Sequence, residues 1–311
     1  MKQTKYTHVS GMDGLEISVL RIEPDDLSGA KGIVQLVHGM NEYKERYIPF
    51  MEYLAENGYI TVIHDHRGHG ASVKNPDDLG YMYEAGYVGL VKDTHEITRE
   101  IKAYAKKETG KNLPFTLFGH SMGSMVVRCY LRKFDKELDK LCVVGSPSKQ
   151  AGMKLGVMVI RALEKIKGER AREALIAGLV MGSYEKPFAK EGVPHSWVNS
   201  DLDAVRKYND DPLCNYCFTL NGFENLVKLT MLTYKDGGHV MNNPGLPIRF
   251  FSGEDDPCAV NRKAFVSAID FLRKQGYSNV SGKMYPGMRH EILNEKNRQE
   301  VFEEILAFIE A

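Results

Sequence analysis

Hydrophobic positions along the chain follow two alternating rhythms. Short runs rich in Val, Ile, Leu and Phe occupy residues 15–22, 33–38, 60–64, 115–118 and 140–145, each the length of a buried strand. Between them lie stretches whose apolar residues recur every three to four positions. Residues 46–57 place Tyr47, Phe50, Met51 and Leu54 on one helical face, and residues 93–108 and 122–134 repeat the pattern. Gly58 and Gly110 stand where a helix end calls for a left-handed residue. Strands that are apolar throughout belong to a sheet covered on both faces, and strand–helix–strand repetition makes that sheet mostly parallel.

The rhythm breaks after Pro147. From Ser148 to about Gly245 the chain offers helical segments and turns but no strong strand. A strand at 247–252, a helix at 260–275, a strand at 280–285 and a closing helix at 294–309 then restore it. The expectation is an α/β core of residues 1–147 and 246–311, interrupted by an inserted, mainly helical lid of residues 148–245.

Composition narrows the function classes. The 311 residues hold 41 basic and 41 acidic side chains, so nothing in the net charge points to nucleic acid as a partner. Hydrophobic residues at 43% are enough for a full core. Five scattered cysteines, an odd number, do not suggest a disulfide framework. Residues 1–14 lack the apolar run of a secretory leader. The longest apolar runs fall short of the roughly 18 residues a membrane span needs. A soluble, cytoplasmic protein is the expectation.

Candidate chemistry begins at Gly119-His120-Ser121-Met122-Gly123, a G-x-S-x-G string at the junction of a strand and a helix. A serine on such a turn projects its oxygen above the sheet, and the flanking glycines let neighbouring backbone approach. A serine hydroxyl needs a base, itself oriented by an acid. With the order Ser, acid, His, the base is His195, His239 or His290, and only His290 follows a predicted core strand. His195 and His239 fall in the lid. The acid belongs at the end of the preceding strand, where Glu254, Asp255 and Asp256 stand in a row and sequence physics leaves the two aspartates close. The backbone N–H groups of Met122 and of Met40, in the loop after residues 33–38, are the natural oxyanion donors. His38 reads as a brace for that loop. Neither the Gly- and His-rich stretch 65–72 nor the lone Cys214-x-x-Cys217 matches a metal pattern, and this chemistry calls for no metal and no cofactor.

Taken together the motifs resemble α/β-hydrolases of the monoacylglycerol lipase and lysophospholipase group. The resemblance runs through His38-Gly39, Glu42, Arg46-Tyr47, Asp65-x-Arg67-Gly68-His69-Gly70-x-Ser72, Gly119 to Ser124, Gly253-x-x-Asp256 and Gly287-x-x-His290-Glu291. It implies Ser121 as nucleophile, Asp256 as the orienting acid, His290 as base, and Met40 and Met122 as oxyanion donors. It further implies a small-molecule acyl ester as substrate, cleaved by way of an acyl-enzyme. Alternatives on the same triad are a short-chain carboxylesterase, an acyltransferase or a peptidase, and a non-catalytic ligand-binding scaffold is a further class. In the lid, Ser196-Trp197 and Asp211-Pro212-Leu213-Cys214 resemble bacterial lysophospholipase-like members, whereas Asn41 replaces the glycine of mammalian lipases. The apolar stretches 153–166 and 171–181 read most simply as a lid core packed on the sheet. A sharper reading has Met153, Val157 and Leu179 lining an acyl tunnel. On that reading Lys154, Arg161, Lys165 and Lys167 would help the lid touch lipid aggregates.

Overall fold

The chain builds eight strands, and the order in which they pair decides where the loops meet. A computed structural model describes residues 1–311. The strands are β1 (Lys2–Val9), β2 (Glu16–Glu23), β3 (Gly32–Val37), β4 (Tyr59–His64), β5 (Phe115–His120), β6 (Lys140–Val144), β7 (Ile248–Gly253) and β8 (Val280–Tyr285). They lie in one sheet in the order β1-β2-β4-β3-β5-β6-β7-β8. β1 and β2 are antiparallel to each other, and β2 is antiparallel to β4; every other pairing is parallel. β3, β4 and β5 are buried at every position, as their unbroken apolar runs predict.

Helices α1 (Ile48–Glu56), α2 (Gly86–Thr109), α3 (Met122–Phe134), α8 (Arg262–Gln275) and α9 (Arg298–Glu310) flank the sheet, and α4 (Met153–Lys167), α5 (Ala174–Glu185), α6 (Leu202–Asp210) and α7 (Leu220–Thr233) lie between β6 and β7. One face is covered by α2, α3 and α8 through Leu90, Val126 and Phe265, the other by α1 and α9 through Phe50 and Phe302. No helix is long and apolar enough to cross a membrane.

Three elements differ from the sequence reading, each for a physical reason. β1 carries alternating exposed positions on a sheet edge, so its polar sequence hides it. α2 starts at Gly86 rather than residue 93, because Gly86 and Gly89, poor helix formers, sit where a Cβ would overlap Asn225 and Arg67. α9 starts at Arg298 rather than 294, because Glu295 is drawn away to accept from the N–H groups of Ser200 and Arg289, both at 2.9 Å.

The segment between β6 and β7 contains no strand, as expected, but its helices are not alike. α7 joins the main core through Leu220, Phe223 and Leu229. In α4 only Ile160 is buried, and in α5 only Ile176 and Tyr184. Leu155, Met158, Ile166, Leu175 and Leu179 are 65–79% exposed. The simple reading of these two stretches as packed lid core therefore holds for one side only, where Ile160 and Ile176 join the main core with Leu163, Ala177 and Val180 packed against it.

Under the loops that follow β3 and β4 lies a cluster of four buried histidines, His38, His64, His66 and His69, with ring centroids 4.5–6.1 Å apart. His38 donates from Nδ1 to the Gly39 carbonyl (2.7 Å) and accepts at Nε2 from the His66 N–H (2.9 Å), so it is neutral and braces the loop. In the same stretch Asp65 accepts from the Lys44 ammonium (2.6 Å) and from the N–H of Ala71 (2.9 Å). Arg67 donates to Asp93 and Asp13. Burial pushes all four histidines down, His64 to about 3 and His69 to about 4. Below pH 6.5 the unfolded chain's histidines bind protons that these four refuse, so stability must fall with pH. The melting temperature is expected to drop progressively from pH 6.5 to pH 5, above the range where ordinary carboxylates titrate. A flat profile in circular dichroism melts over that range would contradict this assignment.

Candidate active site

Four loops leave the carboxyl ends of β3, β5, β7 and β8, and pairing brings them side by side. Val37 is level with Gly119, His120 with Val144, Val144 with Phe251, and Gly253 with Tyr285. Ligands bind in such crevices at the carboxyl ends of parallel strands. The turn after β5 is the tightest. Ser121 has φ 53° and ψ −118°, a conformation that costs a non-glycine residue about 1–3 kcal/mol. Its N–H is held by the Val144 carbonyl at 2.9 Å. A Cβ on Gly119 would overlap the Gly123 carbonyl, and one on Gly123 would overlap the carbonyls of Val37 and His38. Both flanking glycines are thus required by close backbone approach.

α3 begins at Met122, whose N–H is one of the helix's free donors and lies at the positive end of its dipole. The loop after β3 comes against this turn: a Cβ on Gly39 would stand 2.9 Å from the Ser121 Cβ. Met40 and Met122 both line the cavity described below.

At the far side His290 Nδ1 lies 3.0 Å from both oxygens of Asp256. Asp256 also accepts from the Cys258 N–H (2.9 Å) and the Ser252 hydroxyl (3.2 Å). Burial pushes its carboxyl up, but the attraction and hydrogen bond of His290 outweigh that and hold it below its ordinary value. Asp255 and Glu254 are exposed, and Glu254 pairs with Arg262. Neither caps α8; Asn261 does, accepting from the Ala264 N–H at 2.9 Å. The structure thus separates two aspartates that sequence physics left close.

Above these groups opens a cavity of about 720 Å³, within the range of small-molecule sites. Ser121 and His290 share its wall with Met153, Ile160 and Leu179. Val157 does not reach it. It shares the α4 stripe of Arg161, four residues on, which turns to Glu224 of α7. Among the other histidines weighed as base, His195 lines the cavity with Nδ1 2.7 Å from Asn209 Oδ1. His239 lies against Tyr277, pushed down to about 4 by burial. The ligand atoms of Asp256, Cys258 and His290 fall within 4.8 Å of one another, but Asp256 and His290 already bond each other and burial keeps the Cys258 thiol protonated.

Several residues around the site appeared in the sequence only as letters of motifs, with no sign of what they touch. The Trp197 ring stands 5.0 Å from the His290 ring. The Val198 carbonyl accepts from the Glu291 N–H (2.8 Å), and Arg46 pairs with Glu291 (2.7 Å). These contacts join segments far apart in the chain, which no local pattern reports.

A mostly parallel eight-stranded sheet with a strained serine turn after β5 and a His–Asp pair from the last two strand ends defines an α/β-hydrolase. The chain belongs to the family described as serine aminopeptidase, S33 (Hydrolase_4), which matches residues 28–297. It is similar to the monoglyceride lipase homolog of Monkeypox virus, 26% identical over 286 residues, with 90% of this chain and 89% of that one covered. It is 29% identical over 272 residues to the monoglyceride lipase of Saccharomyces cerevisiae, covering 85% of this chain and 79% of the relative. A solved structure of a highly thermostable carboxyl esterase from Bacillus coagulans, in complex with glycerol, aligns with TM-score 0.90 and 25% identity over 100% of this chain and 98% of that one. The monoacylglycerol lipase-like resemblance in the motifs is borne out by these relatives.

The turn geometry makes a direct prediction. Gly123→Ala is expected to lose at least about 2 kcal/mol of stability, because its neighbours are strand backbone that cannot move aside. Gly178→Ala, in α5 with open space around its Cα, is expected to gain about 0.5–1 kcal/mol. Denaturant titration checks both, and a Gly123→Ala protein as stable as the parent contradicts the account.

Proposed function

We propose that the chain is a serine carboxylic-ester hydrolase acting on single-chain acyl lipids, monoacylglycerols or lysophospholipids. The observation that carries this reading is that His290, paired with Asp256, shares one mostly apolar cavity with the strained Ser121. In the proposed reaction Ser121 Oγ attacks the ester carbonyl and His290 takes its proton at Nε2, since Nδ1–H is committed to Asp256. The N–H groups of Met40 and Met122 receive the oxyanion. His290 then protonates the leaving alcohol, and water, activated by the same imidazole, releases the fatty acid from Ser121. Residues 148–245 act as the lid over a core of residues 1–147 and 246–311.

The relatives named as monoglyceride lipases support the lipid substrate. A peptidase reading finds less support. A free amino terminus needs an available carboxylate in the cavity; Glu42 is paired with His120 and Glu291 with Arg46, which leaves Glu185, held by one His195 N–H, as the single candidate.

The exposed apolar residues of α4 and α5 add a lipid-surface contact to the proposal, with Lys154 and Lys165 as its cations. Arg161 and Lys167 contribute less, being drawn to Glu224 and Glu173.

Ser121→Ala is expected to abolish labelling by a fluorophosphonate probe, and equal labelling of parent and variant would remove the hydrolase reading. Asp256→Asn is expected to lower kcat about 10⁴-fold with the fold intact. In a panel of p-nitrophenyl esters from acetyl to palmitoyl, run beside a monoacylglycerol and a lysophosphatidylcholine, activity is expected to rise with chain length. A peak at the short acyls would instead make the protein a general esterase. Flotation with anionic vesicles is expected to carry the protein and to fail for Met158→Glu/Leu175→Glu. Absence of binding by the parent would remove the lipid-surface contact from the proposal.

A further inference from the structure

The residues nearest the proposed triad include two buried ionisable groups that the reaction does not use. Glu42, 2% exposed, follows the oxyanion loop, and His120, 4% exposed, immediately precedes Ser121. One oxygen of Glu42, Oε1, accepts from three donors: the Gly39 N–H, the Tyr47 hydroxyl (3.0 Å) and His120 Nδ1 (2.8 Å). His120 reaches the other way as well, with Nε2 3.2 Å from the main-chain carbonyl of His290. Both ring nitrogens therefore face acceptors, a carboxylate and a carbonyl, and both can be satisfied only if both carry protons. The ring centroid of His120 lies 4.8 Å from that of His290. A Cβ on Gly145 would stand 3.2 Å from both rings, a tight contact at a position whose φ of 55° already favours glycine.

We propose that Glu42 and His120 form a charged positioning pair that locks the loop carrying Met40, the turn carrying Ser121 and the loop carrying His290 into one rigid unit. The inference rests on the hydrolase reading and deepens it. The pair adds to the Arg46–Glu291 ion pair a continuous chain of hydrogen bonds that runs from the Gly39 N–H through Glu42 and His120 to the His290 carbonyl. Arg46 extends the chain by pairing with Glu291, the next residue. Misplacement of a reacting group by about 1 Å can cost about 100-fold in rate.

The electrostatics agree with the geometry. Burial works against the His120 charge, but Glu42 overcomes it and His120 ends above its ordinary value. Burial likewise works against Glu42, which nonetheless ends below its own, held by His120 and Arg46. The other ionisable groups facing the pair are Tyr47 on the oxyanion-loop side, His290 and Glu291 after β8, Asp256 after β7, and Tyr208 and Cys214 from the lid. The tyrosines and the cysteine are pushed up by burial and stay neutral. A rise of pH through the His120 value removes one proton, and with it one of its two hydrogen bonds. Activity should then fall on the alkaline side for a reason separate from His290.

The test combines nitrogen NMR with kinetics on the full chain. In ¹⁵N-histidine-labelled parent protein, His120, assigned by its loss in His120→Gln, is expected to carry protons on both ring nitrogens at pH 7. In Glu42→Gln one should be bare. Against a p-nitrophenyl ester, Glu42→Gln is expected to lower kcat about 10- to 100-fold with KM within about twofold. His120→Gln should keep the acid limb of the pH–kcat profile but lose the alkaline one. The double variant Glu42→Gln/His120→Gln can rebuild a neutral amide chain and should be more active than the product of the two single losses predicts. A singly protonated His120 in the parent overturns the proposal, as does a Glu42→Gln enzyme with full kcat or strictly multiplicative losses. If Glu42→Gln does not fold, the parent spectrum and the His120→Gln profile still decide. An inactive parent would remove the hydrolase reading and leave the spectrum to judge the pair.

Discussion

At Ser121 the chain must pass from a buried parallel strand into a helix within one residue, and it does so at a positive φ that serine avoids. That single turn depends on much of the surrounding structure. It is held because β3 and β6 flank β5, because Gly119 and Gly123 admit backbone where a Cβ would collide, and because the Val144 carbonyl fixes the Ser121 N–H. Strain of about 1–3 kcal/mol persists only where the neighbours over-determine it. The strands on either side, β3 buried throughout and β6 buried from Leu141 onward, supply that rigidity.

Parallel pairing then converts sequence separation into proximity. Residues 40, 121, 256 and 290 are spread over most of the chain, yet each follows the carboxyl end of a strand in one continuous block of the sheet. Ordering these loops costs conformational entropy, and buried polar contacts offset it. His38 clamps the first loop, Glu42 and His120 join three of them, and Arg46 secures the last through Glu291. The segment between β6 and β7 adds its own restraints. Asn41 Nδ2 donates to the Tyr216 carbonyl at 2.5 Å, the Tyr43 hydroxyl donates to Asp211 at 2.8 Å, and Trp197 packs beside His290. The cavity wall and the oxyanion loop are therefore mechanically connected.

Much of this was legible in the sequence. The apolar runs of β2 to β7 and the periodic faces of α1, α3 and α8 report their own burial. The G-x-S-x-G string shows its structural reason once the backbone approach is seen. What escaped was of two kinds. β1 and the first turns of α2 break local preference, one as a polar edge and the other through glycines that make room for Asn225 and Arg67. The fit of α4 and α5, and the choice of Met153 and Leu179 over Val157 as cavity wall, depend on how these helices lie against α7. Glu42 and His120 were visible as letters in a motif, but their joint role exists only across 78 positions of sequence.

The central claim is that Ser121, the N–H groups of Met40 and Met122, and the His290–Asp256 pair converge on one reacting atom. A crystal structure of the protein after reaction with a long-chain alkyl phosphonate tests it most directly. The account predicts phosphorus bonded to Ser121 Oγ. The phosphoryl oxygen should lie about 2.7–3.1 Å from both backbone nitrogens, and the alkyl chain should run between Met153 and Leu179. A phosphonate carried by another residue, or a phosphoryl oxygen turned away from Met40 and Met122, would contradict it.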